Sequence, residues 1–105
     1  MISLGIESTA HTFGIGIINE KGNILADVRD MYKTEKGGLI PAEVAKHHEK
    51  ISKDMIQKAL EQANLKPEQI NIISYSRGPG LGKTILNIGL KTAKEFAKKN
   101  KIPLI

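Results

Sequence analysis

The sequence predicts an α/β fold on a mixed sheet, with elements in the order β-β-β-α-β-α-β. Three observations carry that reading. Apolar residues alternate with small or polar ones through the N-terminal third of the chain, the period of half-buried strands. One stretch from Pro41 to about Ala63 has its apolar residues at helical spacing. From Ile70 onward a short apolar run, a glycine loop and a second helical stretch follow in turn.

Residues 2–7 read as a strand (Ile2, Leu4, Ile6) that ends in Glu7. Residues 12–18 return as its hairpin partner, Gly14 and Gly16 alternating with Ile15 and Ile17. The bend between them is Ser8-Thr9-Ala10-His11-Thr12. A turn over 19–23 contains Gly22, and residues 24–32 suit a third antiparallel strand. A polar loop over 33–40 leads to Pro41, which fits the first helical turn because its missing N–H is not needed there. The helix it opens has the stripe Val44, His48, Ile51, Met55, Ala59, Ala63, with Ala45, Ile56 and Leu60 alongside. After Pro67, residues 70–76 form a buried strand, and the loop 78–82 precedes a helix with Leu81, Ile85, Ile88, Thr92 and Phe96 on one face. Ile102 to Ile105 begins a last strand. Three antiparallel strands followed by βαβ crossovers are the ribonuclease-H-like first lobe of the actin, hexokinase and Hsp70 ATPase architecture.

The 105 residues suffice for one small domain over 1–105. There is no cysteine, hence no disulfide or thiolate metal site, which fits a reducing, cytoplasmic setting. No apolar run approaches the length of about eighteen residues that spans a membrane, and the N-terminus lacks the basic region of a signal peptide. The net charge of +5 resides in residues 83–101, where six lysines face Glu95 alone; the rest balances at ten against ten. Such a cluster attracts tRNA or another polyanion, or forms a solvated helix face whose last lysines complement the helix dipole.

The hairpin bend has the chemistry of a phosphate cradle. Hydroxyls and backbone N–H groups donate to phosphate oxygens, a carboxylate can hold hydrated Mg²⁺, and glycines in the return strand admit a ligand close to the backbone. The plain alternative is an ordinary hairpin with a polar loop. A second phosphate reading falls on Gly78-Pro79-Gly80-Leu81-Gly82-Lys83-Thr84, set between strand and helix like a P-loop. It leaves three residues where that motif needs four, Arg77 falls where its first glycine belongs, and Pro79 removes a donor, so the P-loop is the runner-up. His47 and His48 project about 100° apart on their helix and are not expected to face one site together. His48 reads as a packing residue and His47 as an exposed one.

Glu7-Ser8-Thr9-Ala10-His11-Thr12 followed by Gly14-Ile15-Gly16-Ile17 resembles the start of the tRNA threonylcarbamoyladenosine synthesis family, in particular its archaeal and eukaryotic branch, the catalytic subunit of the KEOPS complex. Three further stretches are similar in the same order: Lys36-Gly37-Gly38-Leu39-Ile40-Pro41-Ala42-Glu43-Val44-Ala45 with His47-His48, then Ser76-Arg77-Gly78-Pro79-Gly80-Leu81-Gly82, then Lys101-Ile102-Pro103-Leu104-Ile105. Arg77, Lys83 and Thr84 depart from the family's usual residues. Half of a sugar or acetate kinase of the same architecture is a weaker match, since those proteins usually carry Asp where Glu7 stands.

The resemblance implies a transferase that moves a threonylcarbamoyl group from threonylcarbamoyl-adenylate to N6 of adenosine 37 in tRNA. It implies one divalent metal, iron or zinc, per full-length subunit, with ligands outside this chain, and a place for Mg²⁺ with nucleotide. Glu7, Ser8, Thr9 and His11 would lie on the donor pocket, and Gly78 and Gly80 would shape the cleft wall. A small dimer-forming KEOPS subunit would dock on the two helices, with Met55, Ile56, Leu60, Leu90 and Ala97 as the expected contacts. A small KEOPS kinase would meet the other lobe. The chain is then expected to be a truncated N-terminal lobe, a partner-binding piece without activity alone.

Overall fold

The computed structural model describes residues 1–34, 38 and 40–105. It contains β1 (Ile2–Glu7), β2 (Thr12–Asn19), β3 (Ile24–Met31), α1 (Pro41–Ala63), a 3-10 turn (Pro67–Gln69), β4 (Ile72–Tyr75) and α2 (Lys83–Asn100). The sheet order is β3-β2-β1-β4. The first three strands form an antiparallel meander, and β4 joins β1 in parallel, Leu4 opposite Ile73 and Ile6 opposite Tyr75. Of the glycine-proline stretch before α1, Lys36, Gly37 and Leu39 lie outside the described residues.

Alternation decides the faces. Leu4 and Ile6 pair with Ile17 and Ile15, which pair in turn with Ala26 and Val28, so these residues share one side of the sheet. Both helices cover that side, α1 over β2 and β3, α2 over β1 and β4. Met55, Ile56, Ala59 and Leu60 of α1 and Ala93 and Ala97 of α2 close the core against Phe13, Ile17 and Ile73. The opposite side carries Gly5, Gly14, Gly16, Asp27, Arg29 and Ser74, which line a shallow trough of about 500 Å³.

Local chemistry sets the helix ends. Pro41 opens α1, with Glu43 in its first turn facing the positive end of the dipole. Asn64, at φ 56°, closes it in the left-handed conformation that asparagine tolerates. Gly82, at φ 146°, turns the chain into α2, and Lys98 and Lys99 stand at the negative end.

Two expectations need correction. The last strand reduces to a single parallel bridge between Leu104 and Ile73. Pro103 has no N–H to donate, so the contact rests on Ile73 N–H to Pro103 O at 3.0 Å and Ile105 N–H to Ile73 O at 2.9 Å. The buried face of α2 is also rotated from the expected one. It comprises Ile85, Gly89, Thr92, Ala93 and Ala97, while Leu81 precedes the helix and is 45% exposed. Small residues at 89, 93 and 97 let α2 approach the sheet closely. Among the described residues no helix is long and apolar enough to cross a membrane.

Candidate functional site

The site is built around the β1–β2 bend. Glu7 ends β1, and its Oε1 accepts the Thr9 N–H at 2.8 Å and the Thr9 hydroxyl. The carboxylate thereby shapes the bend from within, as an Asx-type turn does. Four successive residues are then anchored to four different elements. The Ser8 hydroxyl donates to Ile85 O of α2 at 2.8 Å. Thr9 O accepts the Leu81 N–H of the glycine loop at 2.8 Å. Ala10 O meets His48 Nε2 of α1 at 2.8 Å. His11 O accepts the Tyr32 N–H beyond β3 at 2.8 Å.

Two glycines make these approaches possible. A Cβ on Gly80 would lie 2.3 Å from Thr9 O, inside any permitted contact, so only glycine fits. A Cβ on Gly89 would lie 3.0 Å from the Ser8 Cβ, which is why α2 can pass under the bend. Gly78, at φ 147°, holds a conformation that L side chains rarely adopt.

The expected site residues are therefore brought together in part. Glu7, Thr9 and Gly80 belong to one assembly, the exposed His11 side chain stands beside them on the bend, and Gly78 lies in the same loop as Gly80 with Leu86 of α2 as its neighbour. Ser8 is a correction: it is 1% exposed, and its hydroxyl is directed into α2, so it anchors the bend instead of facing a ligand. Glu7 also borders the glycine trough, whose far wall is the Asp27–Arg29 pair, bonded at 3.0 and 2.7 Å.

The histidines correct a second expectation. Their ring nitrogens meet, His47 Nδ1 to His48 Nδ1 at 2.8 Å, and His47 Nε2 reaches Asp30 Oδ1 at 3.0 Å. Asp30 lies opposite Phe13 on the helix side of the sheet, so a hydrogen-bonded row runs Asp30, His47, His48, Ala10. His48 is fully buried, with Phe13 edge-on at 5.6 Å. Burial lowers its pKa from the ordinary value; the Ala10 carbonyl opposes that, and the neighbouring His47 adds to it. His47 packs edge-on against Tyr32.

The expected docking residues divide. Met55, Ile56, Leu60 and Ala97 are buried in the chain's own core and Leu90 is half-buried, so Ala97 is not available as the docking contact expected of it. Ile56 and Leu60 do reach a groove of about 400 Å³ between the helices, together with Phe96. Met55, Leu90 and Ala97 are not among its lining residues. Among the described residues no three potential ligands cluster to hold a metal ion.

Comparison with known proteins sets this geometry in context. The family model described as tRNA N6-adenosine threonylcarbamoyltransferase matches residues 23–105. A protein of that name from Thermococcus kodakarensis is 47% identical over 105 residues, covering 100% of this chain and 32% of the relative. One from Ignicoccus hospitalis is 43% identical over the same length, again covering 32% of that protein. The chain thus spans about a third of the length of the curated relatives it matches. Among solved structures, YeaZ from Pseudomonas aeruginosa superposes with a TM-score of 0.76 at 15% identity, over 99% of this chain and 41% of that one. Thermus thermophilus RuvC, solved with a Holliday junction substrate, gives 0.57 at 9% identity over 99% and 62%. At such identities these likenesses establish the fold alone, which is ribonuclease-H-like.

Proposed function

This chain belongs to the tRNA N6-adenosine threonylcarbamoyltransferase family, and from that premise we propose that it builds one wall of the pocket that holds threonylcarbamoyl-adenylate during transfer to an adenosine N6 of tRNA. The observation that carries the reading is the junction of the bend with the glycine loop: Leu81 N–H bonds Thr9 O, and Gly80 lies directly against Thr9. Two motifs about seventy positions apart in sequence meet as one rigid cradle.

The donor is anionic at its phosphate and at its threonine carboxylate. The N-terminus of α2 opens beside the bend, and Arg77, Lys83, Thr84 and His11 are exposed in the same segments, so the local field favours an anion. Transfer forms a bond from N6 to the carbamoyl carbon and breaks that carbon's bond to the phosphate oxygen, with AMP leaving and N6 losing a proton. This chain's part is to bind and orient the donor. Glu7 shapes the bend by accepting the Thr9 N–H and hydroxyl, that bend with the glycine loop forms the donor-facing surface, and Ser8 fixes it to α2. The P-loop alternative finds no support, since Leu81 N–H is directed to Thr9 and Pro79 offers none.

A second role has its own observation. The groove of Ile56, Leu60 and Phe96 between α1 and α2 supports docking of a small partner subunit through the helices. The exposed Lys94, Lys98 and Lys99 of α2 suit tRNA. The donor reading is tested by calorimetric titration of the chain with a non-hydrolysable threonylcarbamoyl-adenylate analogue. Saturable binding that Thr9→Val weakens is expected; binding indifferent to Thr9→Val would overturn it.

A further inference from the structure

The row Asp30, His47, His48, Ala10 contains three hydrogen bonds, and elementary valence fixes where their hydrogens sit. Ala10 O only accepts, so His48 Nε2 carries a hydrogen. His48 is fully buried and its pKa is lowered, so its ring is neutral and its Nδ1 is bare. The contact at 2.8 Å between the two Nδ1 atoms then requires a hydrogen on His47 Nδ1. The contact at 3.0 Å between His47 Nε2 and Asp30 Oδ1 requires another there, because a carboxylic acid is a stronger acid than an imidazolium.

We infer that His47 and His48 hold three ring hydrogens between them, one more than two neutral rings carry, and that this shared charge, balanced by Asp30, makes His48 a positioning residue for the donor-facing bend. Remove the third hydrogen and His47 must give up either Asp30 or His48. Add a fourth and two N–H groups face each other across the Nδ1 contact. In both cases the tie between α1 and Ala10 O loosens, and with it the segment that carries Thr9 and His11. The groups around the pair fit a single positive charge. Burial is the largest influence and keeps His48 itself neutral, and His47 acts in the same direction. The smaller influences of Glu7 of β1 and Asp30 of β3 favour positive charge nearby, while Tyr32 beside His47 directs its hydroxyl to Glu43 Oε2 at 3.0 Å.

The consequence for binding rests on the donor-pocket reading, but the row itself is tested without any ligand. In the 105-residue chain with isotope-labelled histidine nitrogens, nuclear magnetic resonance reads each ring N–H and the scalar coupling across an N–H···N bond. The expected result at neutral pH is three ring N–H groups on His47 and His48 and a coupling between their Nδ1 atoms. In His48→Phe, which keeps a ring beside Phe13, exchange of the Leu81 and Tyr32 amides should rise about fivefold, the equivalent of one lost hydrogen bond. Both amides bond to carbonyls of the bend. Two neutral rings without coupling, or unchanged exchange in His48→Phe, would overturn the inference. Either result leaves the donor-pocket reading to its own titration.

Discussion

Gly80 lies so close beneath Thr9 that a Cβ at position 80 would sit 2.3 Å from the Thr9 carbonyl oxygen and 3.2 Å from its Cα. The same carbonyl accepts the Leu81 N–H at 2.8 Å. Gly80→Ala must push the loop off the bend. We expect a loss of about 1–3 kcal/mol in chemical denaturation, the usual cost of forcing extra volume into a packed contact. Weaker donor-analogue binding should accompany it, since the cradle is what the contact holds together.

Ser8 and Thr9 separate structure from ligand contact. Ser8→Ala deletes a buried hydroxyl that bonds Ile85 O, and should cost about 1 kcal/mol of stability with little change in analogue affinity. Thr9→Val keeps the shape and removes the hydroxyl beside Glu7. Freeing the Glu7 carboxylate at the donor-facing bend should weaken binding of the anionic analogue about fivefold, while the loss of this part-buried bond should cost less stability than Ser8→Ala. Equal effects of both substitutions on affinity would contradict the assignment of roles.

The pH dependence of stability carries the sign of His48. Its folded pKa is lowered by burial, so the folded chain binds fewer protons there than the unfolded one. The stabilising contribution is complete above the unfolded value near 6.5 and is lost as pH falls from there through the folded value. Urea denaturation at neutral pH and near pH 5 should differ by up to about 1.4 kcal/mol per pH unit crossed, a slope that His48→Phe removes.

Much of this architecture was legible because local chemistry and tertiary packing agree. Alternation marked the hairpin, and Pro41 with Asn64 bounds α1 over the expected 41–63. The misreadings share a cause, which is contact between distant segments. Large residues suggested the inner face of α2, whereas Gly89, Ala93 and Ala97 are what let it approach β1 and the sheet. That small-residue spacing was the missed signal. Ser8 looked like a ligand group because nothing local reveals that Ile85, far along the chain, accepts its hydroxyl. Helical geometry separates the Cβ vectors of His47 and His48, but Asp30 and Ala10 draw their rings together.

Lys83 discriminates the donor cradle from a P-loop. It is exposed and opens α2, where it adds to the local field without wrapping a phosphate. Lys83→Ala should change analogue affinity less than about threefold, the range of one exposed charge. Abolished nucleotide binding would restore the P-loop reading.

The most direct measurement maps backbone amide shifts of the chain while the threonylcarbamoyl-adenylate analogue is added. A pocket wall at the bend predicts saturating shifts concentrated at residues 9–12 and 78–82. Shifts confined to the groove of Ile56, Leu60 and Phe96, or spread evenly along the lysines of α2, would contradict it.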